Sequence, residues 1–567
     1  MRCAPLALAL STLLGVAGAA QSVRMPQVFE GTLGNGIKVM MVERPGCGAI
    51  QARVFIRGGR ANTGGLPPVA ADLLARTVLR RALPATLEQG LEPVLDQESG
   101  AFEALRLDRL AQARTAQAGP ASPELPALKV LEENAVASLT RRVGGIELWD
   151  ALDSLGATGR GLVVTADFIS QGMDFPTSGL DAWCRTEAAQ LRNLPMGRFP
   201  LERDRLIQEI EAGTPPSPPA LSVLLAMALS GRPYSLAGEF HRSQVESISW
   251  RELNTYARWA ISPDTLQLVL VGDVQGRTVM PQLERTFGTL PKGSGSAAHW
   301  EGAALFQASD PVSSLESPGG RRLIVSTTGD TRVFFGWRVP PANHPDEAAL
   351  RTLVQILGGA PSARLNQDLV ATRGLARRLS VRMGVPGQRD VNLLVIEAEP
   401  AEGHSLDELE QAIQDEVLRL QREPLPDLEV RQAQVQMEAN EILAQEDAGT
   451  LAEALGEGRC QGGDWRLAFR SLESGGNLKA AEIQRAARTY LVPAQVTVAQ
   501  LGPDPLLLPM DRTESRLLQV LTALLQRKLG STAQSQVVLR EAIRQMRMLS
   551  AEEREQTLKL LESQVRP

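Results

Sequence analysis

The amino-acid sequence predicts an α+β protein of two similar domains, each a mainly antiparallel sheet covered by helices. The two domains are expected to face each other as a clamshell, and a helical C-terminal extension follows them. Segments with strand alternation, such as residues 50–57, are followed by longer segments with helical spacing. The same order of elements returns after residue 320, which indicates an internal duplication at domain scale. The chain has 567 residues, 43% of them hydrophobic, which is ample for two or more packed domains.

The first twenty residues are predicted to be a secretory signal peptide. Arg2 gives the segment a positive start, residues 6–16 are apolar, and small residues 17–20 precede Gln21. The apolar run is shorter than the ~20 residues that a membrane-spanning helix needs. We therefore expect export to the periplasm or the cell exterior, and no membrane span after cleavage.

Charge and residue usage restrict the classes of ligand. The net charge is −6, and no run of lysine and arginine is interleaved with aromatic residues, which argues against nucleic acid as a partner. No two histidines are three or four residues apart, so each is predicted to be a surface or loop residue rather than a metal ligand: His241, His299, His344 and His404. After cleavage of the signal peptide at most one internal disulfide can form among Cys47, Cys184 and Cys460.

The first domain is predicted over residues 26–290. Residues 28–33 and 37–43 are expected to form a hairpin, because Asn35-Gly36 favours a tight turn. Residues 50–57 form a third strand, and residues 266–271 form the strand that closes the domain. Residues 83–144, rich in Ala, Glu, Arg and Pro, are predicted to be an inserted, largely helical segment with a break at residues 119–123.

Two helices of this domain contain the candidate site. The first lies within residues 58–79 and is expected to open at Pro67 and Pro68, since proline suits the first helical turn. The second covers residues 201–211, follows Pro200 and ends before a glycine. Glu202 and Glu209 are about two turns apart, so both carboxylates are expected on one face of this helix.

A flexible linker over residues 291–320 is expected to lead into the second domain, residues 321–502. That domain repeats strands at 323–326, 333–339 and 391–398, with helices at 345–357 and from Ser405, where Ser405 and Glu408 form a predicted capping box. Residues 503–567 are predicted to be three helices. Their apolar stripe is expected to pack on the second domain, with a partner-binding helix bundle as the alternative.

In these surroundings the two site helices resemble the pitrilysin/insulinase family of zinc metallopeptidases, the inverzincins with H-x-x-E-H on the first helix. Residues 65–67 match the family's Gly-Leu-small triplet, which places the motif on residues 68–72. Pro68 and Asp72 stand where the resemblance implies zinc-binding histidines, and Ala71 stands where it implies the glutamate that activates water. Glu209 matches the third zinc ligand, but one carboxylate does not hold zinc.

The second domain also departs from the family. Active members offer an arginine and a tyrosine, seven residues apart, that hold the substrate and the developing oxyanion. Val370 and Arg377 stand at these positions, and valine cannot donate a hydrogen bond. Two interpretations of Arg377, Arg378 and Arg382 remain open: a site for a peptide's acidic groups or C-terminal carboxylate, and a solvated face.

The resemblance, which covers about residues 28–502, implies a catalytically inactive metallopeptidase-like subunit without a cofactor. Because the family often works as two half-size chains, one with the zinc motif and one degenerate, the expected partner is a co-exported, zinc-bearing family member in peptide or protein processing. Peptides are a further possible ligand. The alternative is a divergent active metallopeptidase with a site rebuilt from Asp72, Glu202 and Glu209.

Overall fold

A computed structural model describes most of the chain. The described residues are 25–80, 90–114, 124–143, 153–154, 156–213, 219–238, 240–291, 320–326, 331–474, 478–503, 512–529 and 551–565, with short pieces between 538 and 549. The predicted signal peptide, the break at 119–123 and nearly all of the predicted linker lie outside these ranges, as does His299. The predicted domain limits stay predictions.

The seven strands with predicted bounds are observed to within two residues at each end, whereas the strands at 158–164, 168–176, 376–385 and 497–502 had no predicted bounds. Their bounds are β1 Phe29–Thr32, β2 Lys38–Glu43, β3 Ala49–Arg57, β4 Thr158–Val164, β5 Phe168–Pro176, β6 Leu266–Gly272, β7 Arg321–Ser326, β8 Arg332–Val339, β9 Ala376–Val385, β10 Asn392–Pro400 and β11 Thr497–Gly502.

Helices separate and cover the strands. Those preceding β7 are α1 Ala70–Leu74, α2 Glu92–Arg114, α3 Leu125–Val143, α4 Leu180–Asn193, α5 Phe199–Glu211, α6 Pro219–Ala228, α7 Arg242–Glu246, α8 Trp250–Ala260 and α9 Gly276–Thr286. Those following β8 are α10 Glu347–Gly358, α11 Leu406–Arg422, α12 Asp427–Glu446, α13 Ala448–Gly462, α14 Arg470–Ser474, α15 Ala480–Tyr490, α16 Arg512–Leu529 and α17 Ala551–Val565.

The strands form two sheets whose strand orders correspond. The first sheet has the order β1-β2-β6-β3-β5-β4, and the second has the order β7-β11-β8-β10-β9. In each sheet one pair is parallel, β2 with β6 and β7 with β11, and the other pairs are antiparallel. Removing β1 from the first sheet makes the two orders identical. The predicted duplication and the α+β class are therefore confirmed.

Each sheet is covered on one face by helices of its own half and on the other by a helix from the opposite half. Helix α6 packs Leu224 and Leu225 into a cluster with Phe334 of the second sheet. Helix α13 packs Leu455 into a cluster with Phe55 of the first sheet. Since each half covers the apolar face of the other, the two halves form one interlocked body.

The predicted insert contains the helices α2 and α3, which dock on α5. Arg203 of α5 donates to the Glu98 carboxylate at 2.7 Å, and both side chains are at most 1% exposed. The Phe102 ring stacks over the same guanidinium, 3.3 Å from the ring centroid. Trp250 Nε1 of α8 donates to Asp96 at 3.0 Å. The insert is thus held by a buried ion pair as well as by apolar packing.

Three local predictions need correction. The first helix is a short α-helix that continues as a π-helical turn, Ala75–Arg80, and Pro67 and Pro68 precede its N-cap Val69. The capping box at Ser405 is only half formed: its hydroxyl accepts from the Glu408 N–H, but the Glu408 carboxylate binds the His404 ring.

The third correction concerns the C-terminal extension, which was expected to pack on the second domain. Helices α16 and α17 pack chiefly against each other. They enclose a separate hydrophobic cluster with the short pieces between them: Leu517, Ile543, Met546 and Leu558. Within its described residues, the extension therefore has a hydrophobic cluster of its own, in which Leu517 is buried and Leu518 and Leu521 are partly buried.

Candidate functional site

The three degenerate positions of the first helix lie at its N-terminal end, in or beside the core. Ala71 is fully buried and belongs to the hydrophobic core of the first half. Asp72 is 5% exposed. Arg60 donates to both Asp72 oxygens, Nε to Oδ2 and Nη2 to Oδ1, each at 2.8 Å. A water molecule at Ala71 would have neither space nor a base beside it.

The position of the third zinc ligand is bound by a second arginine. Arg76 Nη1 and Nη2 donate to Glu209 Oε1 and Oε2, each at 2.8 Å. Burial alone lowers the pKa of Arg76, but the hydrogen bonds and charge of Glu209 outweigh it, and the charges of Asp72 and Glu202 add to the same effect, so that the pKa is raised. The guanidinium therefore acts as a fixed cation among the three carboxylates.

This set of residues does not fit zinc. Asp72 and Glu209 each face a bidentate arginine, and Glu202 accepts from Arg205 at 2.8 Å. A metal ion would have to displace guanidinium groups from these carboxylates. Within the described parts of the chain, no three His, Cys, Asp or Glu side chains are grouped so as to hold a metal ion.

The remaining histidines and cysteines lie apart from this site. His241 precedes α7, His344 accepts from the Asp346 N–H, and His404 pairs with Glu408. All three described cysteines carry free thiols: Cys47 is exposed, and Cys184 and Cys460 are buried. Burial raises the pKa of both buried thiols to about 12, so they stay protonated. The possible disulfide does not form.

The two candidate positions in the second half lie on different elements. Val370 lies on a π-helical segment, Asn366–Thr372, and is packed against the core. Arg377 lies on β9, the edge strand of its sheet, where its side chain is 71% exposed and binds Glu399 of β10. Arg382 binds Glu397 at 3.2 Å. These cross-strand pairs favour a solvated, charged strand edge over an anion site.

The sequence analysis did not anticipate the two arginines, Arg60 and Arg76, that bind Asp72 and Glu209. The i,i+4 spacing of Asp72 and Arg76 would predict a pair between those two residues, whereas Arg76 binds Glu209 of α5. Arg60 had no such signal, because it belongs to the loop before the helix and reaches Asp72 through the fold.

Comparisons with known proteins agree with this description. Residues 247–437 match the family described as the peptidase M16 inactive domain. An uncharacterised zinc protease of Mycobacterium leprae is 24% identical over 305 residues, which cover 53% of this chain and 66% of that relative, just under two thirds of its length.

Two solved structures share the fold. A protease from Helicobacter pylori is 18% identical with a TM-score of 0.64, covering 85% of this chain and 100% of that one. A peptidase M16 inactive domain from Pseudomonas fluorescens is 14% identical with a TM-score of 0.62, covering 84% of this chain and 98% of that one.

The match to an inactive domain and the fold shared with peptidase structures support an inactive peptidase-like protein. The match over residues 247–437 and the fold shared with the solved peptidase structures support the resemblance to the pitrilysin/insulinase family.

Proposed function

We propose that the protein is the non-catalytic subunit of a peptidase whose second subunit is an exported, zinc-bearing family member. The observation that carries this proposal is the pair of bidentate arginine–carboxylate contacts, Arg60–Asp72 and Arg76–Glu209, at positions where the family binds zinc. In this role the chain supplies one wall of a chamber for peptide processing and holds no zinc of its own.

Retention of the whole framework supports the proposal. Both sheets are complete, and α6 and α13, the exchanged helices, each cover the sheet of the opposite half. The residues that the resemblance implies for metal binding and oxyanion stabilisation are replaced. This retention supports a role in association, an argument that rests on the fold and is tested by the experiment below. Among the described residues, no helix is both long and apolar enough to cross a bilayer.

The direct test is reconstitution with a co-exported family member that has an intact H-x-x-E-H motif. We expect the two chains to co-purify, and the zinc-bearing chain to cleave an unstructured peptide faster when this protein is added. Chains with Arg377→Ala are the matched surface control and are expected to help equally, because Arg377 is paired with Glu399 at the exposed edge. A partner that is fully active alone and unaffected by addition would refute the subunit role.

A separate measurement tests the absence of chemistry in this chain. The purified protein is expected to hold no stoichiometric zinc and to leave the same peptide intact. One equivalent of tightly held zinc, with proteolysis that a chelator abolishes, would instead support the rebuilt site of Asp72, Glu202 and Glu209.

A further inference from the structure

Helix α12 of the second half carries apolar side chains on two sides. Three apolar residues on its inner side are buried: Val430, Ala433 and Met437. On the outer side Leu428, Val435 and Leu443 are exposed, by 68%, 58% and 60%. Burial of the inner side explains how the helix packs on its own half. The outer side leaves large apolar groups in water, and such a surface is typical of a contact with another protein.

A groove of about 500 Å³ lies beside this outer side. Leu428, Gln432 and Val435 line it from α12. Ile356, near the C-terminal end of α10, and Ala363 line it from the other side. A second helix laid along the outer side of α12 would cover the groove as well, so that it would remove more apolar surface from water than a contact with α12 alone.

The outer side has the spacing of a coiled-coil seam. Leu428, Gln432, Val435 and Ala439 are separated by four, three and four residues, so all four lie on one side of the helix. We call these four residues the seam. Their spacing fits another helix better than a flat protein surface, because a helix places its own side chains between residues at these positions.

Two residues of opposite charge flank the seam. Arg431 and Glu438 each precede a seam residue by one position, so both lie on the same flank, seven residues apart. Among the described residues neither side chain forms an ion pair or a hydrogen bond with another residue of the chain. The flank therefore offers one positive and one negative charge to a partner.

Two copies of α12 in an antiparallel arrangement match both the seam and the charges. The seams match when Gln432 lies opposite Val435 of the second copy. Arg431 then lies beside Glu438 of the second copy, and the two-fold axis makes the same pair a second time. A parallel arrangement would instead place Arg431 beside the uncharged Gln436. The charges of α12 thus complement those of the same helix reversed.

We propose that the outer side of α12 binds a second copy of this chain, as an antiparallel helix pair around a two-fold axis. Helix α12 has 20 residues and is therefore about 30 Å long. Contacts of this size are at the low end of specific interfaces, so we expect a reversible dimer with a Kd of about 1–100 μM. The dimer uses residues of this chain alone and goes beyond the subunit role, so it forms or fails independently of a zinc-bearing partner.

Analytical ultracentrifugation of the full chain at increasing concentration measures the dimer. Arg431→Glu sets a like charge against Glu438 of the second copy, and Glu438→Arg sets a like charge against Arg431. Each variant alone is therefore expected to dimerise at least about tenfold more weakly than the parent chain. An equimolar mixture of the two variants restores opposite charges at both positions and is expected to dimerise about as tightly as the parent. Misfolding of either variant could not produce this recovery.

Val435→Lys tests the seam itself, and Val130→Lys is the matched control. Val130 of α3 is 55% exposed, so both changes place a lysine at a similarly exposed helix position, and only the first lies on the seam. We expect Val435→Lys to weaken the dimer at least about tenfold and Val130→Lys to leave it unchanged. A parent chain that stays monomeric throughout overturns the proposal. So does a dimer that Val435→Lys does not weaken, or a mixture of the charge variants that is no more dimeric than either alone.

Discussion

At the scale of single residues, arginines bind the two carboxylates for which the resemblance implies zinc-ligand positions. Arg60 and Arg76 bind Asp72 and Glu209 with the planar, two-bond geometry that guanidinium and carboxylate share. Lysine could neutralise the charge but could not form both parallel hydrogen bonds. Both carboxylates, Asp72 and Glu209, are therefore compensated by an arginine.

The arginines predict that restoring the motif alone is insufficient for zinc binding. In a chain with Pro68→His, Ala71→Glu and Asp72→His, Arg76 still binds Glu209. We expect this triple variant to bind zinc weakly, and the further change Arg76→Leu to raise its zinc affinity by about tenfold or more. Competition with a chromogenic chelator measures both affinities. Equal zinc affinity in the two variants would show that Arg76 does not block the site.

A second residue-scale prediction concerns Glu187 of α4, which is 1% exposed and accepts from Gln171 Nε2 at 3.1 Å. Burial raises the pKa of Glu187 to about 8, above its ordinary value of 4.5. Between these two pH values the folded state binds a proton that the unfolded chain releases. The stability linked to this proton is therefore fully present below pH 4.5 and is lost as the pH rises through 8.

Glu187→Gln removes the titration and keeps a polar partner for Gln171. We expect this variant to exceed the parent chain in free energy of unfolding by about 1–3 kcal/mol at pH 9, and to lose the advantage below pH 5. Urea unfolding at several pH values measures the difference. If the free energy of unfolding depends on pH in the same way in both chains, the raised pKa of Glu187 is contradicted.

At the scale of elements, the strands were predictable and the exchanged helices were not. Strand alternation is a local pattern, and it located β3 and β6 to within a residue. Helix α6 is apolar on nearly all sides, so its sequence does not indicate which sheet it covers. Helix α13 contains several glycines, which weaken the helical signal.

The surroundings of Gly456 explain why α13 forms despite its glycines. A Cβ atom on Gly456 would lie 2.0 Å from the Phe55 ring of β3, so α13 approaches the first sheet more closely than a side chain allows. The Gly456 carbonyl accepts from Gln267 Nε2 of β6 at 2.9 Å, which fixes the same contact. Packing against the sheet thus offsets the low helix propensity of glycine.

Gly456→Ala is therefore expected to destabilise the protein by about 1–3 kcal/mol through overpacking. Gly100→Ala is the matched control, because Gly100 lies inside α2 and an added Cβ meets no atom within 4 Å. That variant should be neutral or stabilised by up to about 1 kcal/mol. Chemical unfolding of both variants gives the comparison. A neutral Gly456→Ala would mean that α13 can move away from β3 without loss.

At the scale of the whole molecule, the halves are joined by more than the linker. Asp167 accepts from the Tyr234 hydroxyl and from the Gln388 backbone N–H, the latter at 2.6 Å, so a buried carboxylate joins the first sheet to the second half. Arg53 of β3 binds Glu453 of α13 at 3.0 Å. Internal duplication was visible in the sequence, but this interlocking was not, because it arises from contacts between residues hundreds of positions apart.

Interlocking predicts that neither half is soluble alone. A fragment ending at residue 291 lacks α13 and would expose the apolar face of the first sheet: Met40, Phe55, Phe168 and Val269. A fragment starting at residue 320 lacks α6 and would expose the corresponding face of the second: Phe334, Leu393, Val395 and Ala499. Apolar patches of this kind drive aggregation.

We expect each fragment to aggregate when produced alone, and the two produced together to form a soluble complex that elutes from size exclusion at the volume of the intact chain. A chain cut once within residues 292–319 after folding is the control, since it keeps both exchanged helices, and it should elute in the same way. A first-half fragment that is monomeric and natively folded without α13 would contradict the interlocked body. A second-half fragment that is monomeric and natively folded without α6 would contradict it as well.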